Sequence, residues 1–147
     1  MREVYGDFWA YPADVRLITT NGLVKKNGEA VMGRGVALQA KTRYPGLAQC
    51  VGGVILAYGN HVQINLGLDA PFGLGIFPTK HNWFEKSDIT LIKQSAEELK
   101  TMANIYPTLL FLLPRPGTGN GGLLYKDVKP AIEDILPDNV LVITNAP

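Results

Sequence analysis

A chain of 147 residues, 46% hydrophobic and 18% charged, fits one globular domain with its own core and excludes a disordered one. Fourteen basic and thirteen acidic side chains leave a formal charge of +1, so no bulk field draws the protein onto DNA or an anionic membrane, and any such contact must be local. A single cysteine, Cys50, rules out an intrachain disulfide and a cysteine-built zinc site, the first residues lack the apolar core of a signal peptide, and the longest apolar run, Leu109 to Leu113, is too short for a bilayer; a soluble, cytoplasmic protein is expected.

Glu3 to Trp9 is aromatic and β-branched and reads as a first strand interrupted by Gly6. Asp7 inside such a strand needs a partner, either a ligand amino group or a backbone cap. Val15 to Thr20 reads as a buried strand that ends at the turn dipeptide Asn21-Gly22. Gly33-Arg34-Gly35 opens a helix that runs to about Arg43 and stops at Tyr44-Pro45-Gly46. Val54–Ala57 and Val62–Leu66 read as short strands around the Tyr58–His61 turn, and Leu74–Pro78 as a further strand. Ser87 is the expected N-cap of a helix from Asp88 to about Ala103, with Ile89, Ile92, Ala96, Leu99 and Ala103 as its inner stripe. Thr108–Leu113 is apolar on both faces, as in a central strand covered on each side. Tyr125–Leu136 reads as the last helix, with Pro130 awkward inside it, and Val140–Thr144 as the closing strand. Strands alternating with helices predict an α/β sheet covered on both faces, with ligands bound where loops leave the carboxyl ends of strands.

Two glycine-rich loops fall at such ends. In the first, Val31-Met32-Gly33-Arg34-Gly35-Val36, a helix start offers unpaired amides to an anion, although a plain tight connection fits equally well. The second, Pro114 to Leu123, has four glycines in the six residues Gly117–Gly122 and resembles a phosphate-cradling nest. It lacks the Gly-Lys-Ser/Thr of a Walker loop and comes too late in the chain for a dinucleotide fingerprint. Together the two loops suggest a diphosphate held between two helix starts. Lys80, after the Leu74–Pro78 strand, stands at the same edge; it can neutralise phosphate, act as a nucleophile, or simply be solvated. His61 and His81 read as surface residues, and no metal site or cofactor is called for.

Gly6-Asp7-Phe8, Ile18 to Gly22, Val31 to Leu38 and Gly117 to Gly122, in this order and spacing, resemble the macrodomains, an ADP-ribose-binding α/β/α family. Phe77-Pro78-Thr79-Lys80 and the Pro114-Arg115 loop resemble, within it, the branch of the terminal ADP-ribose glycohydrolases and the DarG-type antitoxins, which remove ADP-ribose from thymidine in DNA. The resemblance implies a three-layer α/β/α fold with a mixed central sheet, formed as one macrodomain over residues 1–147. It implies Asp7 and the Phe8 amide against adenine, Asn21 on the distal ribose, and Met32, Gly33, Arg34, Gly35 and Val36 around that ribose and the diphosphate. Thr118, Gly119, Asn120, Gly121 and Gly122 would cradle the diphosphate from the other side, and Lys80 would be the catalytic group. The implied activity is hydrolysis of the glycosidic bond between ADP-ribose and a modified macromolecule, with a nucleobase in single-stranded DNA as the favoured target. A non-catalytic reader of ADP-ribose and an ADP-ribose 1″-phosphate processing enzyme are the alternatives, and a monomer without membrane contact is expected. In one respect the chain departs from the protein-directed members of the branch: Gly121 stands where they carry an aspartate.

Overall fold

The computed structural model describes residues 1–67 and 70–145. Five strands, β1 (Arg2–Tyr5), β2 (Val15–Asn21), β3 (Leu74–Lys80), β4 (Phe111–Pro114) and β5 (Val140–Thr144), form one sheet in the order β1-β5-β4-β2-β3. Every strand pair in it is parallel. The expected mixed sheet is therefore corrected to a parallel one. The antiparallel contacts among the described residues are two single bridges, Val24 to Ala30 and Gln63 to Ile76.

Parallel strands need crossovers, and these are helices on both faces. Successive strand residues alternate between two cores. Leu17, Phe77, Phe111, Leu113, Val140 and Val142 point to the side of α3 (Ile89–Ile105) and α4 (Tyr125–Ile132), where they meet Ile92, Leu99, Val128 and Ile132. Ile18 and Ile76 point to the side of α1 (Gly35–Arg43) and α2 (Leu47–Tyr58), against Ala37, Ala40, Val51 and Ile55. Leu112, Leu141 and Ile143 are covered by the segment around Phe8, Tyr11 and Ala13. The central place of β4 explains why its sequence is apolar on both faces.

Helix α2 replaces the expected strand at Val54–Ala57. Two glycines and a β-branched run disguise a stripe of Leu47, Ala48, Val51, Val54 and Ile55 at helical spacing. Gly52 is there for close approach: a Cβ on it would lie 1.9 Å from the Gly28 carbonyl oxygen. The other expected strand, Val62–Leu66, contributes only Gln63, whose amide and carbonyl bond Ile76 and cover the outer edge of β3. Strand β1 stops at Tyr5, so Asp7 lies in an exposed turn and needs no buried partner. The N-cap of α3 is Asp88, whose side chain accepts from the Thr90 amide, and not Ser87. Helix α4 ends at Ile132, short of the expected Leu136, with Pro130 accepted inside it.

One polar cluster ties α4 to β1. Tyr125 Oη donates to Glu3 Oε1 (2.7 Å) and Lys129 Nζ to Glu3 Oε2 (2.8 Å). The Lys129 and Tyr125 hydrogen bonds hold the Glu3 carboxyl below its ordinary range, while burial and the Glu3 carboxylate push the Tyr125 phenol up. A depressed carboxyl stabilises the fold above its ordinary pKa and loses that contribution as pH falls through the lowered value. As pH falls from above the ordinary carboxyl range through the lowered value, the wild type should therefore lose more stability than Glu3→Gln, as measured by denaturant midpoints.

The Gly52 contact is also testable. Alanine gains about 0.8–1.0 kcal/mol of helix propensity over glycine, but forcing a backbone segment away costs about 1–3 kcal/mol. Gly52→Ala should lower Tm, whereas Gly53→Ala, with open space at its Cβ, should raise it. A Gly52→Ala protein as stable as Gly53→Ala would contradict the packing described.

Candidate functional site

Because all five strands run the same way, their carboxyl ends share one edge. Strand β2 and its neighbour β4 send the chain in opposite directions there, β2 through α1 and α2 towards β3, β4 through α4 towards β5. A crevice opens at such a switch point. In this protein it is a cleft of about 1030 Å³ lined from the ends of β2, β3, β4 and β5, the turn after β1 and the start of α1.

One wall is the start of α1. Arg34 is the N-cap, without a side-chain cap, and the first turn carries no acidic residue, while Lys41 and Arg43 sit in the last turn. Gly35, Val36 and Ala37 line the cleft, so the positive end of the helix faces it uncompensated. Gly35 has a φ of 59° and lies against Asn120, whose Nδ2 would be 3.4 Å from a Cβ at this position. The two glycine loops therefore meet.

The opposite wall is the loop after β4. The amides of Gly121, Gly122 and Leu123 are spent on the carbonyls of Thr118, Gly119 and Gly117. Among the described residues no such bond engages the amides of Thr118, Gly119 and Asn120, which leaves them as the donors of this loop. Positive φ angles at Gly117, Gly119 and Gly122 (63–78°) allow the tight path. Ser87 lies beneath. Its amide donates to the Gly121 carbonyl (2.9 Å), and a Cβ at position 121 would come within 2.4 Å of Ser87 Oγ. The space that an aspartate at position 121 would need is thus filled by the serine hydroxyl.

Lys80 stands between these walls. A register shift between Thr20 and Asn21 pairs Thr20 with Pro78 and Asn21 with Lys80, so β3 carries one extra residue just before the lysine. Lys80 Nζ donates to the carbonyl oxygens of Asn120 (3.2 Å) and Trp83 (3.5 Å). The hydroxyls of Thr20 and Ser87, both buried at the margin of the cleft, have no hydrogen-bond partner among the described residues. Such buried hydroxyls are costly unless something enters to bond them.

At the far end, Asp7 Oδ1 accepts from the Trp9 amide (2.9 Å), and the Asp7 carbonyl accepts from Ala10 and Tyr11. Arg16, on β2, donates to the carbonyls of Phe8 and Tyr11 and pins this turn to the sheet. Arg115 Cζ lies 4.1 Å from the Tyr125 ring centroid, which fixes the guanidinium at the rim.

All the expected site residues except Met32 and Gly122 line this cleft. Met32 is a core residue packed beneath the first loop, and Gly122 lines a smaller groove next door. The Asn21 side chain is structural as well: Nδ2 donates to the Val31 carbonyl (3.0 Å) and Oδ1 accepts from the Leu23 amide (3.0 Å). Sequence reasoning missed Gln39, Ser87, Arg115, Thr144 and Asn145 as lining residues; the strand-end position of Arg115 and Thr144 was the available signal. The histidines each have an acidic partner, His61 with Glu98 (2.7 Å) and His81 with Asp88 (2.9 Å), but both pairs tie loops to α3. The His81 hydrogen bond and the Thr90 amide hold the Asp88 carboxyl low. Among the described residues no cluster of metal-binding side chains occurs, and no helix is long and apolar enough to cross a membrane.

No protein-family model matches the chain. A curated relative from Thermus aquaticus, named DNA ADP-ribosyl glycohydrolase, is 29% identical over 141 residues, which are 92% of this chain and 38% of the relative. The chain thus spans less than two-fifths of that relative's length. The solved macrodomain of Thermus aquaticus DarG is 30% identical, with a TM-score of 0.75 over 99% of this chain and 97% of that one. Thermosipho africanus DarTG, solved in complex with ADP-ribose, has a TM-score of 0.76 at 18% identity, over 97% of this chain and 41% of that one. Sequence and fold together show that this chain belongs to the macrodomain family, within its DarG type.

Proposed function

We propose that the cleft binds ADP-ribose and that the chain hydrolyses the bond joining the distal ribose to a nucleobase in single-stranded DNA. The observation that carries this reading is the pair of opposed amide donors, at the start of α1 and at Thr118–Asn120, with Lys80 Nζ held between them by the Asn120 carbonyl. Two helix-start or nest-like donors suit a pyrophosphate, and Arg34 and Arg115 add charge at the rim. Asp7 accepts from the adenine amino group beside Phe8, at the opposite end from Lys80. Asn21 shapes the wall by the distal ribose, and Lys80 acts at its anomeric carbon. Preorganised donors that hold the diphosphate fix the ribose against the lysine, and this positioning is the main contribution to rate.

The names of the relatives support the DNA target, and so does Gly121. With glycine there, and the Ser87 hydroxyl within 2.4 Å of where a Cβ would stand, this chain offers no carboxylate at that position to work on esters of acidic side chains. The test is release of ADP-ribose from modified single-stranded DNA, modified glutamate and serine proteins, and the 1″-phosphate. DNA should be the substrate. Phosphate release alone would point to the small-metabolite reading, and binding without release from any of them to a reader.

Lys80→Ala should lower turnover by at least about 10²-fold while ADP-ribose affinity, read by calorimetry, stays nearly unchanged. Parallel loss of both would make Lys80 a binding residue only. Gly121→Ala should weaken ADP-ribose binding by forcing Ser87 and the loop apart, and Ser87→Ala in the same chain should restore part of the affinity. Full affinity in Gly121→Ala would show that the loop yields freely.

A further inference from the structure

Beside the Lys80 corner the cleft continues into a groove of about 310 Å³, which shares Arg34, Lys80, Trp83, Asn120 and Gly121 with it. Its other residues include Phe84, Lys86 and Gly122. Trp83 is 50% and Phe84 67% exposed, unusual for large rings adjacent in sequence. They stand edge to face, with centroids 5.6 Å apart and planes at 90°. The turn that carries them is held at several points. Asn82 bonds Glu85 through side chains and backbone, His81 bonds Asp88 at the head of α3, and the Trp83 carbonyl accepts from Lys80.

Lys86 lies along the same loop. Its Cγ and Cε would lie 3.1 Å from a Cβ at position 122, so the lysine stem runs across the bare α-carbon of Gly122. This contact adds to the positive φ of 77° that already favours glycine at 122. The groove thus combines two exposed aromatic rings with Arg34, Lys80 and Lys86. Glu85, the acid among its described residues, is engaged by Asn82. Aromatic rings that take any base face, interleaved with cations that track phosphates, are the chemistry of single-stranded nucleic-acid binding.

We infer that this groove holds the nucleotide next to the modified one in a single-stranded chain, its base stacked on Phe84 or Trp83 and its phosphate near Lys86. The inference rests on the hydrolase reading above and extends it, because the groove begins where the distal ribose and its attached base would lie. A local patch of this kind also meets the requirement set by a net charge of only +1.

The test compares two substrates, an ADP-ribosylated single-stranded oligonucleotide of about nine nucleotides and the ADP-ribosylated mononucleoside, in the wild type, Phe84→Ala and Lys86→Ala. Loss of one stacking ring should raise KM for the oligonucleotide about tenfold. Lys86→Ala should raise it less and reduce the slope of log affinity against log salt by about 0.7. Hydrolysis of the mononucleoside and affinity for ADP-ribose should not move in either variant. An unchanged oligonucleotide KM in Phe84→Ala, or equal impairment on both substrates, overturns the groove. If the wild type cleaves neither substrate yet binds ADP-ribose, the hydrolase reading fails by itself. The groove is then read from fluorescence anisotropy of an unmodified oligonucleotide, whose affinity Phe84→Ala lowers if the groove holds a strand and leaves unchanged if it does not.

Discussion

The site depends on strand direction. Backbone amides and carbonyls at the ends of secondary structure are left without partners, and where they point is decided by topology. In this sheet every pairing is parallel, so the unpartnered start of α1, the loop after β4 and the last residues of β2, β3 and β5 converge on one edge. An antiparallel strand in the middle would send one loop to the far side and split the cleft. The apolar faces of β4 and β2 hold that arrangement, covered by α3 and α4 on one side and by α1, α2 and the segment around Phe8, Tyr11 and Ala13 on the other.

Much of this was legible because loops in an α/β fold carry their own signals. Glycines clustered between an apolar run and a helix mark close approach whatever surrounds them, so the stretches around Gly33–Gly35 and Gly117–Gly122 stood out. Lys80 was legible for the same reason, since it directly follows an apolar strand. Where glycine served packing, the reading failed. Gly52 looks like a helix breaker, yet it lets the loop at Gly28 pass over α2. Met32 and the Asn21 side chain show another limit. Met32 lies in a loop that faces the cleft but turns into the core, and Asn21, at the end of β2, lines the cleft with its side-chain amide engaged at both ends by neighbouring backbone. Sequence spacing locates a loop and says nothing of which way each side chain turns within it. The mixed sheet was implied by the family resemblance and not by the sequence of any strand, and every observed strand pair is parallel.

Serine 87 shows how a residue can matter without carrying a motif. In the sequence it looks like a helix cap, but Asp88 takes that role and frees the serine to face inward. Its amide fastens the second glycine loop through the Gly121 carbonyl, and its hydroxyl stands where a larger residue at 121 would project. Gly121 and Ser87 are therefore one feature, split between two loops separated by a helix and a strand. Neither residue can be interpreted without the other.

The balance of charge follows the same logic. With fourteen basic and thirteen acidic side chains the molecule has almost no net field, and none of the described ion pairs uses a residue that lines the cleft: the Met1 amino group with Asp138, Glu3 with Lys129, His61 with Glu98, His81 with Asp88. Arg34, Arg115 and Lys80 remain at its rim and corner, opposed there among the described residues by Asp7, which is itself tied to the Trp9 amide. Attraction for an anion is thus short-ranged and concentrated where the backbone donors already point. A surface of this kind gains little from long-range steering and depends on contact geometry, so discrimination rests on whether a ligand can reach the α1 start, the Thr118–Asn120 amides and Lys80 at once.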